Sequence, residues 1–292
     1  MGMPTDKRFR VRALARQAYS GLTWKEDFMH THAEPVVGVD AYVHCGLSKY
    51  KPLEELDDAM TRANVSRAVI VQHLGEFDNS YIQSIVADRP ERFAGVCLVD
   101  WDDPDASSHL ERQHQTGRFK GVRLTLESLE RNRKLWDRAA ELGMHFTLYS
   151  LESFTLRLDM LRSFIEQNPG ATFILSHLAM SHLAPPDLIN DPQMHKQQRM
   201  LELAACPNVV MQLSGFHMFC ESPHAPLWPF VKLAVDTFGP DRLLWGSNYP
   251  VCEQYHDYVQ EVEIIRSGMD KSVGPSLAAL CSANALKLWF DK

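Results

Sequence analysis

The sequence has little that marks a membrane-spanning, exported or nucleic-acid-binding protein. It contains no run of about 18 consecutive apolar residues, the length a transmembrane helix needs. Its first residues form no apolar signal core, so we expect no export. The net charge of −7 disfavours nucleic acid as a partner. We therefore expect a protein that binds neither membrane nor nucleic acid, with a homo-oligomer left open.

Paired cysteine motifs and nucleotide-binding glycine motifs are also missing. The six cysteines have no CxxC spacing, which indicates reduced thiols in a cytoplasmic protein rather than a disulfide or zinc framework. No GxGxxG or GxxxxGK[ST] follows the first predicted strand, so a dinucleotide or P-loop site lacks its fingerprint. The 292 residues, 45% hydrophobic, are enough for one large domain with ample core.

The first 34 residues stand apart from the rest. They are rich in Lys and Arg, and Val11, Leu14, Ala15 and Tyr19 fall at the spacing of a short amphipathic helix. Two interpretations remain open: a solvated arm, or an arm that packs on a second subunit or covers a pocket. We predict an N-terminal arm over 1–34 and one domain over 35–292.

Within that domain, short apolar strands alternate with helical patterns. The predicted strands are Val36–His44, Arg67–His73, Phe93–Val99, Lys120–Leu126, His145–Ser150, Thr172–Leu178, Asn208–Ser214 and Arg242–Ser247. The predicted helices include Leu129–Leu142, one near Gln193–Ala205, and Glu253–Ser267. Strands alternating with helices indicate a parallel sheet, and eight such units in this length predict an α/β fold, a (β/α)8 TIM barrel.

In such a barrel, the active site lies at the carboxyl ends of the strands. On the first strand, Asp40, Tyr42 and His44 alternate, which predicts that they share one face. The full set of strand-end residues is Tyr42, His44, His73, Asp100, Arg123, Tyr149, His177, Ser214, His217 and Asn248. A single histidine at such a position is usually structural, but a ring of His, Tyr and Arg favours a functional site.

Several motifs in order resemble the amidohydrolase superfamily. Val39–His44 is similar to its first-strand D-x-H-x-H motif. The other matching stretches are Phe77–Tyr81 with Arg89–Val96, Gly121–Leu124, Leu175–Leu178, Leu213–Gly215, Arg242–Pro250 and Ser282–Ala285. The resemblance spans about 36–290 and is strongest to the lactonase-like branch, with its pyrone-dicarboxylate and sugar-acid lactonases. It implies a TIM-barrel hydrolase.

The chain departs from the metal-dependent members of that family. Those bind divalent ions through the first-strand His pair, His residues from strands five and six, and an Asp after strand eight. Here Tyr42, Tyr149 and Asn248 stand at three of these positions, and His44 and His177 remain. Because catalytic zinc usually takes three protein ligands, we expect no bound metal and no cofactor.

The same departures shift the expected chemistry. In the resembled hydrolases the strand-eight Asp activates water, and the amide of Asn248 cannot take up a proton. His44 and His177 are then the candidate bases, since an unperturbed His titrates near pH 6.5. Tyr42, Tyr149 and Asn248 would orient the reacting carbonyl.

Arg123 is the main candidate for substrate binding. Arg123 matches a position that grips a substrate carboxylate in the lactonase branch, although an internal salt bridge is the alternative. His73, Ser214 and His217 complete the predicted substrate contacts. The leading hypothesis is a metal-independent hydrolase of a small anionic lactone or ester. A lyase or decarboxylase, and an inactive barrel that binds a ligand or partner, are the alternatives.

Overall fold

The structure is a computed structural model, and it describes residues 38–180, 199–268 and 277–291. Within these ranges eight parallel strands follow one another in chain order. The strands are β1 Val39–Val43, β2 Arg67–Val71, β3 Phe93–Cys97, β4 Phe119–Thr125, β5 His145–Tyr149, β6 Phe173–Leu175, β7 Val209–Ser214 and β8 Leu243–Gly246. The predicted strands are confirmed: seven are shorter than predicted, and β4 has the predicted length but begins one residue earlier.

The last strand meets the first and closes the sheet into a barrel. The backbone N–H of His44 donates to the carbonyl oxygen of Tyr249 over 2.7 Å, and that of Asn248 donates to Tyr42 over 2.9 Å. Val43 and Tyr249 form a parallel bridge. The (β/α)8 TIM barrel predicted from the alternation is therefore confirmed.

Helices surround the strands on the outside. They are α1 Leu53–Arg62, α2 Ser80–Asp88, α3 Ala106–Gln115, α4 Leu126–Arg131, α5 Arg133–Glu141, α6 Leu158–Gln167, α7 Trp228–Phe238, α8 Tyr258–Glu263 and α9 Leu277–Trp289. None of the helices in the described ranges is long and apolar enough to cross a membrane. The predicted N-terminal arm over 1–34 lies outside the described residues, and so does 193–198 of the predicted helix before β7.

Three predicted helices differ from the structure. The one expected over Leu129–Leu142 is two helices, because the Asn132 side chain accepts a hydrogen bond from the backbone of Leu135 and begins a new helix there. Of the helix expected near Gln193–Ala205, the described part is a 3-10 turn, Arg199–Ala205. The helix expected over Glu253–Ser267 begins only at Tyr258, where the side chain of Asp257 caps it.

An irregularity in β1 changes which side chains face the barrel interior. The register of β1 against β2 shifts between Asp40 and Val43. As a result Tyr42 packs inside the barrel, whereas the Asp40 carboxylate accepts a hydrogen bond from the hydroxyl of Tyr258 on the outer helix α8. The prediction that Asp40 shares a face with Tyr42 and His44 is wrong, because the bulge breaks the strict alternation.

Candidate active site

The carboxyl end of the barrel gathers the aromatic and histidine side chains that the sequence singled out. The Tyr42 ring lies between two imidazoles, with its centroid 5.2 Å from that of His44 and 4.8 Å from that of His177. Tyr149 also contacts His177, at 5.8 Å between centroids. All four side chains are buried. The bulge in β1 permits this arrangement because it turns Tyr42 inward.

Arg123, near the end of β4, places a guanidinium beside this aromatic cluster. Its Cζ atom lies 5.8 Å from the ring centroid of Tyr42 and 5.6 Å from that of Tyr149. Its Nη1 donates to the carbonyl oxygen of Gln72 over 3.0 Å, while Nε is buried without a partner. Across the described ranges no carboxylate lies within ion-pairing distance, so the internal salt bridge considered for Arg123 is not formed there. A buried cation with unused donors is suited to bind an anion.

The hydrogen bonds of His44 determine its tautomer. Its Nδ1 lies 2.5 Å from the carbonyl oxygen of Val71, which can only accept, so Nδ1 carries the proton. The other ring nitrogen, Nε2, is left as the acceptor. The imidazole stacks on Tyr50 at 5.0 Å, and Tyr50 in turn contacts the edge of His73 at 4.8 Å. His44 therefore presents an acceptor nitrogen from a ring that is hydrogen-bonded to Val71 and stacked on Tyr50.

His177 follows β6 in a tight turn. Its backbone is left-handed, with φ of 54°, and its Nδ1 lies 2.9 Å from the hydroxyl of Ser214. The backbone N–H of His177 donates to the same hydroxyl. Gly215 is required beside it, because a Cβ there would lie 2.7 Å from the imidazole Nδ1. Ser214 is thus a positioning residue for His177.

His217 and Asn248 form a second pair at the ends of β7 and β8. The Asn248 Nδ2 lies 3.3 Å from Nε2 of His217 and 3.7 Å from the sulfur of Met218. Met218 also lies beside Gly215, so this pair adjoins His177. Because an amide nitrogen can only donate, Nε2 of His217 is the acceptor in this arrangement.

Burial and the neighbouring cation change the protonation of the site. Burial, followed by the charge of Arg123, lowers the pKa of His177 to about 3 and the pKa of His44 well below its ordinary value. Burial lowers the pKa of His217 to about 4. The expectation of bases titrating near pH 6.5 is therefore wrong: these imidazoles stay neutral at all but acidic pH.

The tyrosines remain hydrogen-bond donors. Burial raises the pKa of Tyr42 to about 12, although Arg123 opposes the shift, and burial likewise raises the pKa of Tyr149. The Tyr42 hydroxyl is buried and has no hydrogen-bond partner in the described part of the chain. It is thus an O–H donor at the centre of the barrel.

The barrel centre does not fit the metal that the family implies. Of the expected ligands, His44 and His177 are present, and the ring of Tyr42 lies between them. Arg123 lies close enough to both imidazoles to lower their pKa values. The same positive charge opposes a divalent ion at this place, and Tyr42, Tyr149 and Asn248 supply no anion to offset it.

The sequence did not reveal that Tyr50 and Gln72 belong to the site, and it grouped Asp100 with the barrel-centre residues. Tyr50, which stacks on His44, lies in the loop after β1 and carries no motif. Gln72 holds Arg123 through its backbone, which no side-chain pattern can reveal. Asp100 lines a surface cleft with Phe77 and His109 and accepts a hydrogen bond from the backbone of Asp102. Only the packed structure distinguishes it from the barrel-centre residues.

Comparison with known proteins agrees with this geometry. A model of the amidohydrolase family matches residues 29–290. The chain belongs to the amidohydrolase family. The lactonase-like resemblance predicted from the motifs is also confirmed. This amidohydrolase is 28% identical over 239 residues to an L-fucono-1,5-lactonase of Burkholderia ambifaria, covering 77% of this chain and 80% of that protein.

Solved structures share the fold of this amidohydrolase. A 2-pyrone-4,6-dicarboxylic acid hydrolase of Acinetobacter baumannii with citric acid bound superposes with a TM-score of 0.65 at 17% identity, covering 86% of this chain and 98% of that one. An amidohydrolase of Burkholderia multivorans with bound zinc gives 0.64 at 19% identity, covering 85% and 99%. At these identities the likeness shows the barrel fold alone.

Proposed function

We propose that this amidohydrolase hydrolyses a small anionic lactone or related ester without a metal ion at the barrel centre. One observation carries the proposal: Arg123 is a buried cation with no carboxylate partner in the described ranges and with unused donors. An uncompensated buried charge is costly unless a ligand neutralises it. A substrate carboxylate supplies that charge. The lactonase names of the relatives support ring-ester hydrolysis.

The reaction we propose needs a general base, a hydrogen-bond donor to the oxyanion, and a residue that binds the substrate carboxylate. Arg123 binds the substrate carboxylate in a planar fork. Nε2 of His44, left as an acceptor by the bond from Nδ1 to Val71, takes a proton from water as the water oxygen attacks the carbonyl carbon. His177 is the alternative base. The Tyr42 hydroxyl, unpartnered and protonated, donates to the oxyanion that forms.

The remaining steps return the proton. When the tetrahedral intermediate collapses, the ring C–O bond breaks and the leaving alkoxide takes the proton held by the histidine. Tyr149 contacts the ring of His177, and Asn248 contacts His217. From these positions both can orient the reacting carbonyl. His73, behind Tyr50, and His217 are proposed to contact the distal part of the substrate. Atoms balance as lactone plus water giving a hydroxy acid.

The cysteines favour the cytoplasm as the compartment. All six lie in the described ranges as free thiols, and five of them are buried. Burial raises the pKa of Cys97 and of Cys220 to about 12, so both stay as thiols. Unpaired thiols are typical of reducing compartments.

The experiment compares a carboxylated lactone with a neutral one. Purified protein is incubated with 2-pyrone-4,6-dicarboxylate and with L-fucono-1,5-lactone, and acid release is followed with a pH indicator. We expect turnover of the carboxylated substrate with the higher kcat/KM. Turnover of the neutral lactone alone would refute the anionic substrate class. Release of CO2 without ring opening would indicate a lyase, and tight binding without turnover an inactive barrel.

A further inference from the structure

A second cluster of ligand-type side chains lies next to the proposed active site. His224 follows β7, while His256 and Glu261 belong to the segment between β8 and the end of α8. Their side chains are buried, at 0%, 6% and 1% exposure. The ligand atoms of all three lie within 4.8 Å of one another. Neither the proposed reaction nor the family motifs use these residues.

The tautomer of His224 makes this cluster unusual. Nδ1 of His224 lies 2.9 Å from the backbone carbonyl oxygen of Cys220, so Nδ1 carries the proton. Nε2 therefore presents its lone pair, and it lies 3.8 Å from Oε2 of Glu261. This nitrogen is buried and has no hydrogen-bond partner among the described residues. Two acceptors facing each other in a buried place repel unless a cation lies between them.

Glu261 supplies the negative charge. Its Oε2 atom is the one that faces Nε2 of His224. Nε2 of His256 lies 2.5 Å from the same Oε2 atom. Oε1 of Glu261 is buried without a hydrogen-bond partner in the described ranges. A buried carboxylate with a spare oxygen and two imidazoles around it is a set of metal ligands.

The distances suit a small transition-metal ion. In a tetrahedral zinc site with bonds of about 2.0–2.1 Å, neighbouring ligand atoms lie about 3.4 Å apart. The observed separations from Oε2, 3.8 Å to His224 and 2.5 Å to His256, bracket that value. Two histidines and one glutamate form a known zinc ligand set. The bond from Nδ1 of His224 to a backbone carbonyl is the outer support that metal-bound histidines commonly have.

We propose that His224, His256 and Glu261 form a binding site for a divalent first-row transition metal, with zinc as the natural candidate. The ion replaces the proton between Nε2 of His256 and Glu261, so that proton is released when the metal binds. The site is separate from the barrel centre, where the charge of Arg123 opposes a cation. It goes beyond the proposed hydrolysis, which uses none of the three residues.

The location gives the ion a structural role. It would join the segment after β7 to the segment after β8, and these two segments carry His217 and Asn248. The His217 ring lies 6.4 Å from that of His256 between centroids, and its buried Nδ1 lacks a partner in the described ranges. A metal ion here would therefore join these two segments beside the His217–Asn248 pair.

The test measures metal binding directly. The full-length protein is stripped with chelator, reloaded with Zn²⁺ or Co²⁺, dialysed, and analysed for bound metal and for the visible spectrum of tetrahedral Co²⁺. We expect about one ion per chain, since one His2Glu set makes one site. Glu261→Gln keeps the shape of the side chain and removes its charge, so we expect affinity to fall by at least about 100-fold. Glu263→Gln, on the same helix, is the matched control and should bind as the wild type does.

Three results would overturn the proposal. The first is a stripped protein that takes up no Zn²⁺ or Co²⁺, which would leave the cluster as a buried ion pair. The second is metal binding that survives Glu261→Gln unchanged. The third is binding that is lost in His177→Asn but kept in Glu261→Gln, which would locate the ion at the barrel centre. If Glu261→Gln does not fold, His256→Gln is judged by the same three criteria.

Discussion

At the scale of single residues, the partners of a buried charge decide its role. Arg123 donates to one backbone carbonyl, and across the described ranges it pairs with no carboxylate. The rings of Tyr42 and Tyr149 lie beside it and support a cation without neutralising it. A guanidinium kept buried in this way is better explained by a ligand than by the stability of the fold.

Replacement of Arg123 with methionine should therefore affect binding more than folding. We expect Arg123→Met to cost about 2–5 kcal/mol of substrate binding, seen as a large rise in KM for the carboxylated lactone. The matched control is Arg118→Met, since Arg118 lies just before the opposite end of the same strand. Steady-state kinetics and a melting curve of each variant make the comparison. Unchanged kinetics in Arg123→Met would mean that this residue does not touch the substrate.

The histidines give a prediction on rate and on pH. If His44 or His177 is the base, His44→Asn or His177→Asn should lower kcat by about 10²–10⁴-fold. His145→Asn, at the amino end of β5, is the control and should retain kcat.

The pH profile follows from the lowered pKa values. A base works only when it is unprotonated, and burial lowers the pKa of His177 to about 3. The active form should therefore persist to acidic pH, and kcat/KM should stay flat from pH 7 down to about pH 5. A decline centred near pH 6.5 would show that the base titrates as an ordinary histidine, without the lowering of its pKa by burial.

At the scale of elements, the bulge in β1 separates residues that the alternation put together. It turns Tyr42 toward the histidines and leaves Asp40 fully buried toward α8. There the carboxylate accepts hydrogen bonds from the backbone of Tyr42 and Ser247 and from the hydroxyl of Tyr258. One irregular strand thus positions an active-site ring on one side and ties β1, the end of β8 and α8 together on the other.

Asp40 should make the stability of the barrel depend on pH. Burial raises its pKa from 3.8 to about 6 despite these hydrogen bonds. The protonated form is therefore favoured in the folded state, and its stabilising contribution is complete below pH 3.8 and lost as pH rises through 6. Relative to Asp40→Asn, the free energy of unfolding of the wild type should fall by about 2 kcal/mol between pH 4 and pH 7.

Urea unfolding at several pH values measures this difference. Asp58→Asn is the control, because Asp58 is an exposed partner of Arg62 and should show no comparable trend. If the wild-type and Asp40→Asn curves stay parallel from pH 4 to pH 7, the three hydrogen bonds fully offset burial and Asp40 titrates normally.

At the scale of the whole molecule, the two candidate sites should respond differently to metal removal. We expect the stripped protein to keep its turnover of the carboxylated lactone, because the proposed reaction uses no metal at the barrel centre. Its melting temperature should fall by about 5 °C, because a ligand that binds only the folded state stabilises it. Activity lost on stripping and restored by Zn²⁺ in both the wild type and Glu261→Gln would refute the metal-independent reaction.

The sequence by itself determined the barrel and the set of residues near its carboxyl end. Alternating apolar strands and helical patterns specify parallel strands, and the ends of parallel strands meet at one edge. Arg123, His177 and Asn248 could therefore be chosen from their positions near the carboxyl ends of predicted strands. The motifs that resemble the amidohydrolase family added its expected ligand positions, including the replacements Tyr42 and Tyr149.

Only the tertiary structure decided how these residues behave. The bulge in β1, the lowered pKa of the histidines and the pairing of Arg123 with a backbone carbonyl each depend on groups far apart in the chain. Tyr50 and Gln72 also belong to the site only because folding places them beside His44 and Arg123. The cluster of His224, His256 and Glu261 has no recognisable spacing, because His224 follows β7, whereas His256 and Glu261 follow β8. The three residues meet only when β7 and β8 lie side by side.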